Sequence, residues 1–187
     1  MRGPVMTGAA SNPQELGEQF LKSLDKSQLG AGASKLFYAS VGEVVTILSR
    51  SPSHKHYSLA DIEWMVLPAI MIGQFYVIEA AHKENGFRMP AAFVAWAFVS
   101  EEVDQRLTGQ AGQRLRLHPG EWRSGEVAWI IDVVGTSAGV AAALRWLLSG
   151  PLKERSVKAA LRDADGTLCI KVLDPDSIGA TAMVAAQ

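Results

Sequence analysis

The stretch "EVAWIIDVVGTSAGVAAALRWLL", residues 126–148, constrains this chain more than any other. Its first nine residues are apolar almost without interruption and rich in β-branched and aromatic types, the signature of a strand buried inside a sheet. "GTSAG" then turns the chain, and an apolar helix follows until Gly150-Pro151 ends it. After Glu126, one residue breaks the pattern. Asp132 sits between isoleucine and valine neighbours, where a carboxylate costs several kcal/mol, roughly, unless it is paired or hydrogen-bonded.

The remaining elements follow from local signals. "NPQE" at residues 12–15 starts a short helix, with Leu16, Phe20, Leu21 and Leu24 as its apolar stripe. Phe37, Val41, Val44, Val45 and Leu48 predict a second helix from Ser34, which Pro52 stops by forcing Ser51 out of helical geometry. Ser58 and Asp61 are spaced as a capping box before Ile62, Met65 and Val66. "SPSHKHYS", residues 51–58, is therefore a short loop pinned between two helices. "MIGQFYVIEA" and "PAAFVAWAFVS" read as a hairpin around the Asn85-Gly86 turn. Ser100 caps a helix through "EEVDQRL", residues 108–125 form a long loop, and strands are expected near 156–161 and 167–173 across "DADG". The expected organisation is an N-terminal extension over 1–33, an α/β domain over 34–176 with a mixed central sheet flanked by helices, and a tail over 177–187.

Composition excludes several functions. Eighteen basic against nineteen acidic residues provide no general attraction to nucleic acid or anionic lipid. The most apolar windows contain Glu63 and Pro68, or Asp132 and Arg145, and read as core rather than membrane spans. The single cysteine, Cys169, excludes an intramolecular disulfide framework and a thiolate metal cluster, and fits a reducing compartment. No stretch at the start has signal-peptide character, so a cytoplasmic location is expected.

Two pairings suit Asp132. One is a structural ion pair with Arg145 or Arg162. The other is His54 from the pinned loop, whose Nδ1 bonded to the carboxylate would leave Nε2 as a general base. Strand alternation puts Ile130, Asp132 and Val134 on one face, so the carboxylate projects to one side of the sheet. His56 would point elsewhere. Ser51, His54 and Asp132 are the residue types of a nucleophilic triad, but the elbow G-x-S-x-G is absent. Gly135, Thr136 and Ser137 offer amides at a helix N-terminus that suit an oxyanion or a phosphopantetheine contact, or form a plain tight turn. His82 and His118 read as solvated turn residues, and Cys169 as core. Most of Trp64, Trp96, Trp122, Trp129 and Trp146 read as packing residues, some of which could line an acyl pocket.

"LSRSPSHKHY", "VLPAIMIGQFYVI", "PAAFVAWAFVSEEVDQRL" and "EWRSGEVAWIIDVV", in this order, resemble the RTX toxin-activating lysine acyltransferases over roughly residues 41–174. That resemblance implies a fold related to the GNAT acetyltransferases, with transfer of a fatty acyl group from acyl-carrier protein to internal lysines of an RTX protoxin. No permanently bound cofactor or metal is implied. The family's catalytic histidine falls on His54, its catalytic aspartate on Asp132, and Ser51 matches a serine of the same motif. After the aspartate the family usually has an apolar residue and then Ala-Pro-Phe-Gly, where this chain has "VVGTSAG". Two alternatives stand beside this reading: a CoA-dependent GNAT-type N-acyltransferase, and a noncatalytic partner of a secreted toxin that uses the Leu16/Phe20/Leu24 stripe as a contact surface. The same stripe would allow a homodimer.

Overall fold

The computed structural model describes residues 26–82, 84–110, 115–162 and 168–173. The expected helix at 12–24 and the tail over 177–187 lie outside them. The chain divides into two compact units, residues 1–36 and 37–187. The sheet and both hydrophobic cores belong to the second.

Helix α1 spans Lys26–Arg50. It begins eight residues before the Ser34 start expected from the apolar stripe. Gly30 and Gly32 lower helix propensity by about 1 kcal/mol each without breaking the backbone pattern. Ser34 does not cap the helix. Its hydroxyl donates to the Gly30 carbonyl one turn back, at 3.0 Å.

After the pinned loop, Ser58 caps α2 (Leu59–Met65) with the anticipated reciprocal box to Asp61. The helical run then breaks at Val66, and α3 (Leu67–Ile72) has Pro68 in its first turn, which has no N–H to continue the ladder. Gly73, at φ 70°, closes α3, so Met71 and Ile72 are helical and the first strand of the hairpin begins later than expected.

Strands β1 (Phe75–Ala81) and β2 (Arg88–Val99) form the hairpin, with Gly86 at φ 69° in its turn. Helix α4 (Glu101–Gly109), capped by Ser100, and a short 3₁₀ turn (Pro119–Glu121) lead to β3 (Val127–Gly135). Helix α5 (Ser137–Ser149) then crosses to β4 (Val157–Arg162), which pairs with β5 (Leu168–Leu173). The five strands lie in chain order β1-β2-β3-β4-β5. All neighbours are antiparallel except β3 and β4, which α5 joins in parallel. The fold is mixed α/β.

Each sheet face buries its own core. Phe93, Ala95, Ala97 and Val99 pack with Val44, Ile47 and Leu48 of α1, with α2 and α3, and with Val103 and Leu107 of α4. On the opposite face Ala92, Val94 and Trp96 pack with Val140, Leu144 and Leu147 of α5. This double covering explains why β2 and β3 read as continuous apolar runs. Burying each large side chain stabilises the fold by about 1.5–3 kcal/mol.

Candidate active site

The loop between α1 and α2 is wound tightly on itself. The amides of His54 and Lys55 both donate to the Ser51 carbonyl, at 3.1 and 2.9 Å, and the Tyr57 amide donates to the His54 carbonyl at 2.9 Å. Pro52 ends α1 and starts this turn. The Tyr57 ring packs beside the imidazole, with centroids 4.9 Å apart. His54 thus has a defined direction although it lies on a loop.

Asp132 reaches it through an irregularity in β3. Ala95 faces Asp132 across the β2–β3 ladder but Trp96 faces Ile130, so Ile131 is one residue too many. This β-bulge overturns the expectation that Ile130, Asp132 and Val134 share a face. Ile130 belongs to the α5 core, whereas Val134, and Asp132 opposite Ala95, lie on the side of α1. Without the extra residue, Asp132 would stay in phase with Ile130 and point away from the loop.

The imidazole and the carboxylate meet nearly out of solvent, their side chains 11% and 15% exposed. His54 Nε2 stands 3.3 Å from both carboxylate oxygens, with hydrogen-bond direction satisfied only at Oδ1; Oδ2 is buried without a hydrogen-bond partner. An ionised carboxylate only accepts, so Nε2 carries the hydrogen and Nδ1 the lone pair. The ring is therefore turned opposite to the expected orientation. Nδ1, not Nε2, is available as base, and it lies 2.8 Å from Ser51 Oγ and 2.9 Å from Ser53 Oγ. Sequence reasoning had not selected Ser53. The available signal was a pair of hydroxyls at positions −3 and −1 from a histidine in a turn.

Of the two arginines proposed for Asp132, the Arg162 side chain lies outside the described residues, and Arg145 bonds within its own helix. Arg145 is exposed on α5 and its Nε donates to the Ala141 carbonyl. His56, His82 and His118 are exposed. Cys169 is half-buried on β5, its thiol 3.5 Å from the Leu161 carbonyl. Among the described residues no group of three or more His, Cys, Asp or Glu side chains is arranged to hold a metal ion.

Beside the pair lies an open cleft of about 230 Å³ lined by Ile47, Arg50, Ser51, Ser53, Pro90 and Ala91, and also by Val134, Gly135 and Thr136. None of the five tryptophans lines it. Gly135 and Thr136 thus stand near the pair, while Ser137 is the first residue of α5 behind them. Thr136 caps α5 by accepting from the Gly139 amide at 3.2 Å, and its own amide donates to the Ala91 carbonyl at 2.9 Å. Gly135 is at φ 144°, and a Cβ there would come within 2.3 Å of the Ala91 carbonyl oxygen. Gly135→Ala is therefore expected to combine backbone strain with a backbone clash, lowering stability by about 2 kcal/mol or more and distorting the cleft wall. Urea denaturation of the variant measures this directly.

Residues 35–175 match the RTX toxin acyltransferase family. Among curated relatives, the lysine-acyltransferase RtxC of Vibrio cholerae is 34% identical over 95 residues, covering 50% of this chain and 56% of that protein. The leukotoxin-activating lysine-acyltransferase LtxC of Aggregatibacter actinomycetemcomitans is 30% identical over 95 residues, covering 51% of each. The RTX-I toxin-activating lysine-acyltransferase ApxIC of Actinobacillus pleuropneumoniae is 32% identical over 92 residues, covering 49% of this chain and 48% of its own. The chain spans about half the length of the curated relatives it matches. The family match takes in the His54 loop, the hairpin and the bulged strand that carries Asp132, and on that ground this chain belongs to the RTX toxin acyltransferase family.

Proposed function

We propose that this chain is a protein-lysine fatty acyltransferase that moves an acyl group from acyl-carrier protein to internal lysines of an RTX protoxin in the cytoplasm. The observation that carries the reading is the half-buried His54–Asp132 contact at 3.3 Å beside an open cleft. No helix among the described residues is long and apolar enough to cross a membrane. The parallel β3–β4 pair inside an otherwise antiparallel sheet is compatible with the GNAT-like relation that the resemblance implies.

A lysine amine has an ordinary pKa near 10.4, so fewer than about one in a thousand is a free nucleophile at neutral pH. The ammonium first gives one proton to solvent, and the amine so formed must lose a second as its nitrogen becomes an amide. In this reading the amine nitrogen attacks the thioester carbon, its proton goes to His54, and Asp132 stabilises the imidazolium that forms. The C–S bond then breaks, and the leaving thiolate takes up the proton. The Gly135–Thr136–Ser137 turn is the candidate source of amide donors to the developing oxyanion, although the Thr136 N–H is itself given to the Ala91 carbonyl. Cys169 has no part in the scheme.

Co-expression with an RTX protoxin from the same genome, followed by intact-mass and peptide analysis, tests the reading. The expected result is the mass of a fatty acyl group on protoxin lysines, unchanged when Cys169 is replaced by serine. A stable complex without any mass change would make the chain a noncatalytic partner. Transfer from acyl-CoA but not from acyl-carrier protein would make it a CoA-dependent acyltransferase.

A further inference from the structure

The base in this site has two hydroxyl partners where one would serve. Ser51 Oγ lies 2.8 Å and Ser53 Oγ 2.9 Å from the same Nδ1, and the two oxygens are 3.1 Å apart. A neutral imidazole nitrogen has one in-plane lone pair, so one hydroxyl donates to it fully while the other donates to the first oxygen. Rotation of the two O–H bonds exchanges these roles. Both serines line the cleft, whereas the imidazole does not. The base therefore reaches the cleft through hydroxyl groups.

We propose that Ser53 is a second proton relay to His54, interchangeable with Ser51, so that either hydroxyl alone connects the substrate amine to Nδ1. The proposal rests on the reading of His54 as general base. As the amine nitrogen bonds to the thioester carbon, its proton passes to the Oγ of the serine facing it, and that serine's own proton passes to Nδ1. The serine ends as a neutral hydroxyl and the imidazole as an imidazolium against Asp132. When the C–S bond breaks, the proton returns by the same hydroxyl to the thiolate. No acyl bond to serine forms.

The test compares kcat and KM of the full chain and its variants with myristoyl- and palmitoyl-acyl-carrier protein and an RTX protoxin. Ser51→Ala and Ser53→Ala are each expected to lose about threefold to tenfold in kcat with KM little changed. Because groups acting as a unit are non-additive, the double variant should lose far more than the product of the singles, approaching the roughly 10²–10⁴-fold loss of a missing general base. Ser51→Ala combined with Ser53→Thr should return to the level of Ser51→Ala alone. The proposal is overturned if Ser51→Ala alone is as inactive as His54→Ala, if the double variant equals Ser51→Ala, or if the two losses simply multiply. A fully active His54→Ala would remove the general-base reading and the relay together. An inactive His54→Ala with multiplying serine losses would remove only the relay. Should the double variant unfold, the proton inventory of Ser51→Ala in mixed light and heavy water decides: two protons in flight support the Ser53 relay, and one overturns it.

Discussion

His54→Ala is expected to reduce acyl transfer by about two to four orders of magnitude, the range that a positioned general base contributes. The reason is geometric. With the Nε2 hydrogen committed to Asp132, the Nδ1 lone pair is the basic site that both cleft serines address. Alanine also leaves the half-buried carboxylate without its partner, so a loss of stability would accompany the loss of activity. His54→Gln separates the two effects, because its amide can still donate to Asp132 while having no basic nitrogen. Both variants should be inactive in the protoxin acylation assay, and the glutamine variant should melt near the wild-type temperature. Wild-type activity in His54→Gln would end the assignment.

Asp132→Asn is expected to cost about a hundredfold or more in kcat while leaving stability unchanged or raised. An amide can present either its N–H₂ or its carbonyl to the ring, so the preference for hydrogen on Nε2 is lost and part of the population carries its lone pair on the wrong nitrogen. The imidazolium formed during transfer also loses its counter-charge. Folding does not suffer in the same way, since the substitution removes a charge that is largely out of water and has one oxygen unpartnered. Thermal melting beside single-turnover kinetics reads both quantities. A marked fall in melting temperature with activity retained would instead assign Asp132 a structural ion-pair role.

Much of this arrangement was legible in the chain. The end of α1 at Pro52, the Ser58–Asp61 box, the Asn85-Gly86 hairpin and the strand-turn-helix around residues 126–148 all rest on interactions within a few residues, which local sequence reports well. The length of α1 was not legible, because glycines at 30 and 32 are weak signals that a continuing helix overrides. The break at Val66 was missed although Pro68 marked it, since the apolar pattern runs through both short helices.

By itself the sequence determined that a histidine sits on a short pinned loop and that a carboxylate sits inside a buried strand, because proline, capping and hydrophobic runs act locally. Only the tertiary structure decided that the two meet. Whether Asp132 points toward α1 or toward α5 depends on one extra residue at Ile131, and that bulge exists only in the register of β3 against β2, a pairing between segments far apart in the chain. The orientation of the imidazole is likewise set by a carboxylate and two hydroxyls that converge only after the sheet and the loop have packed.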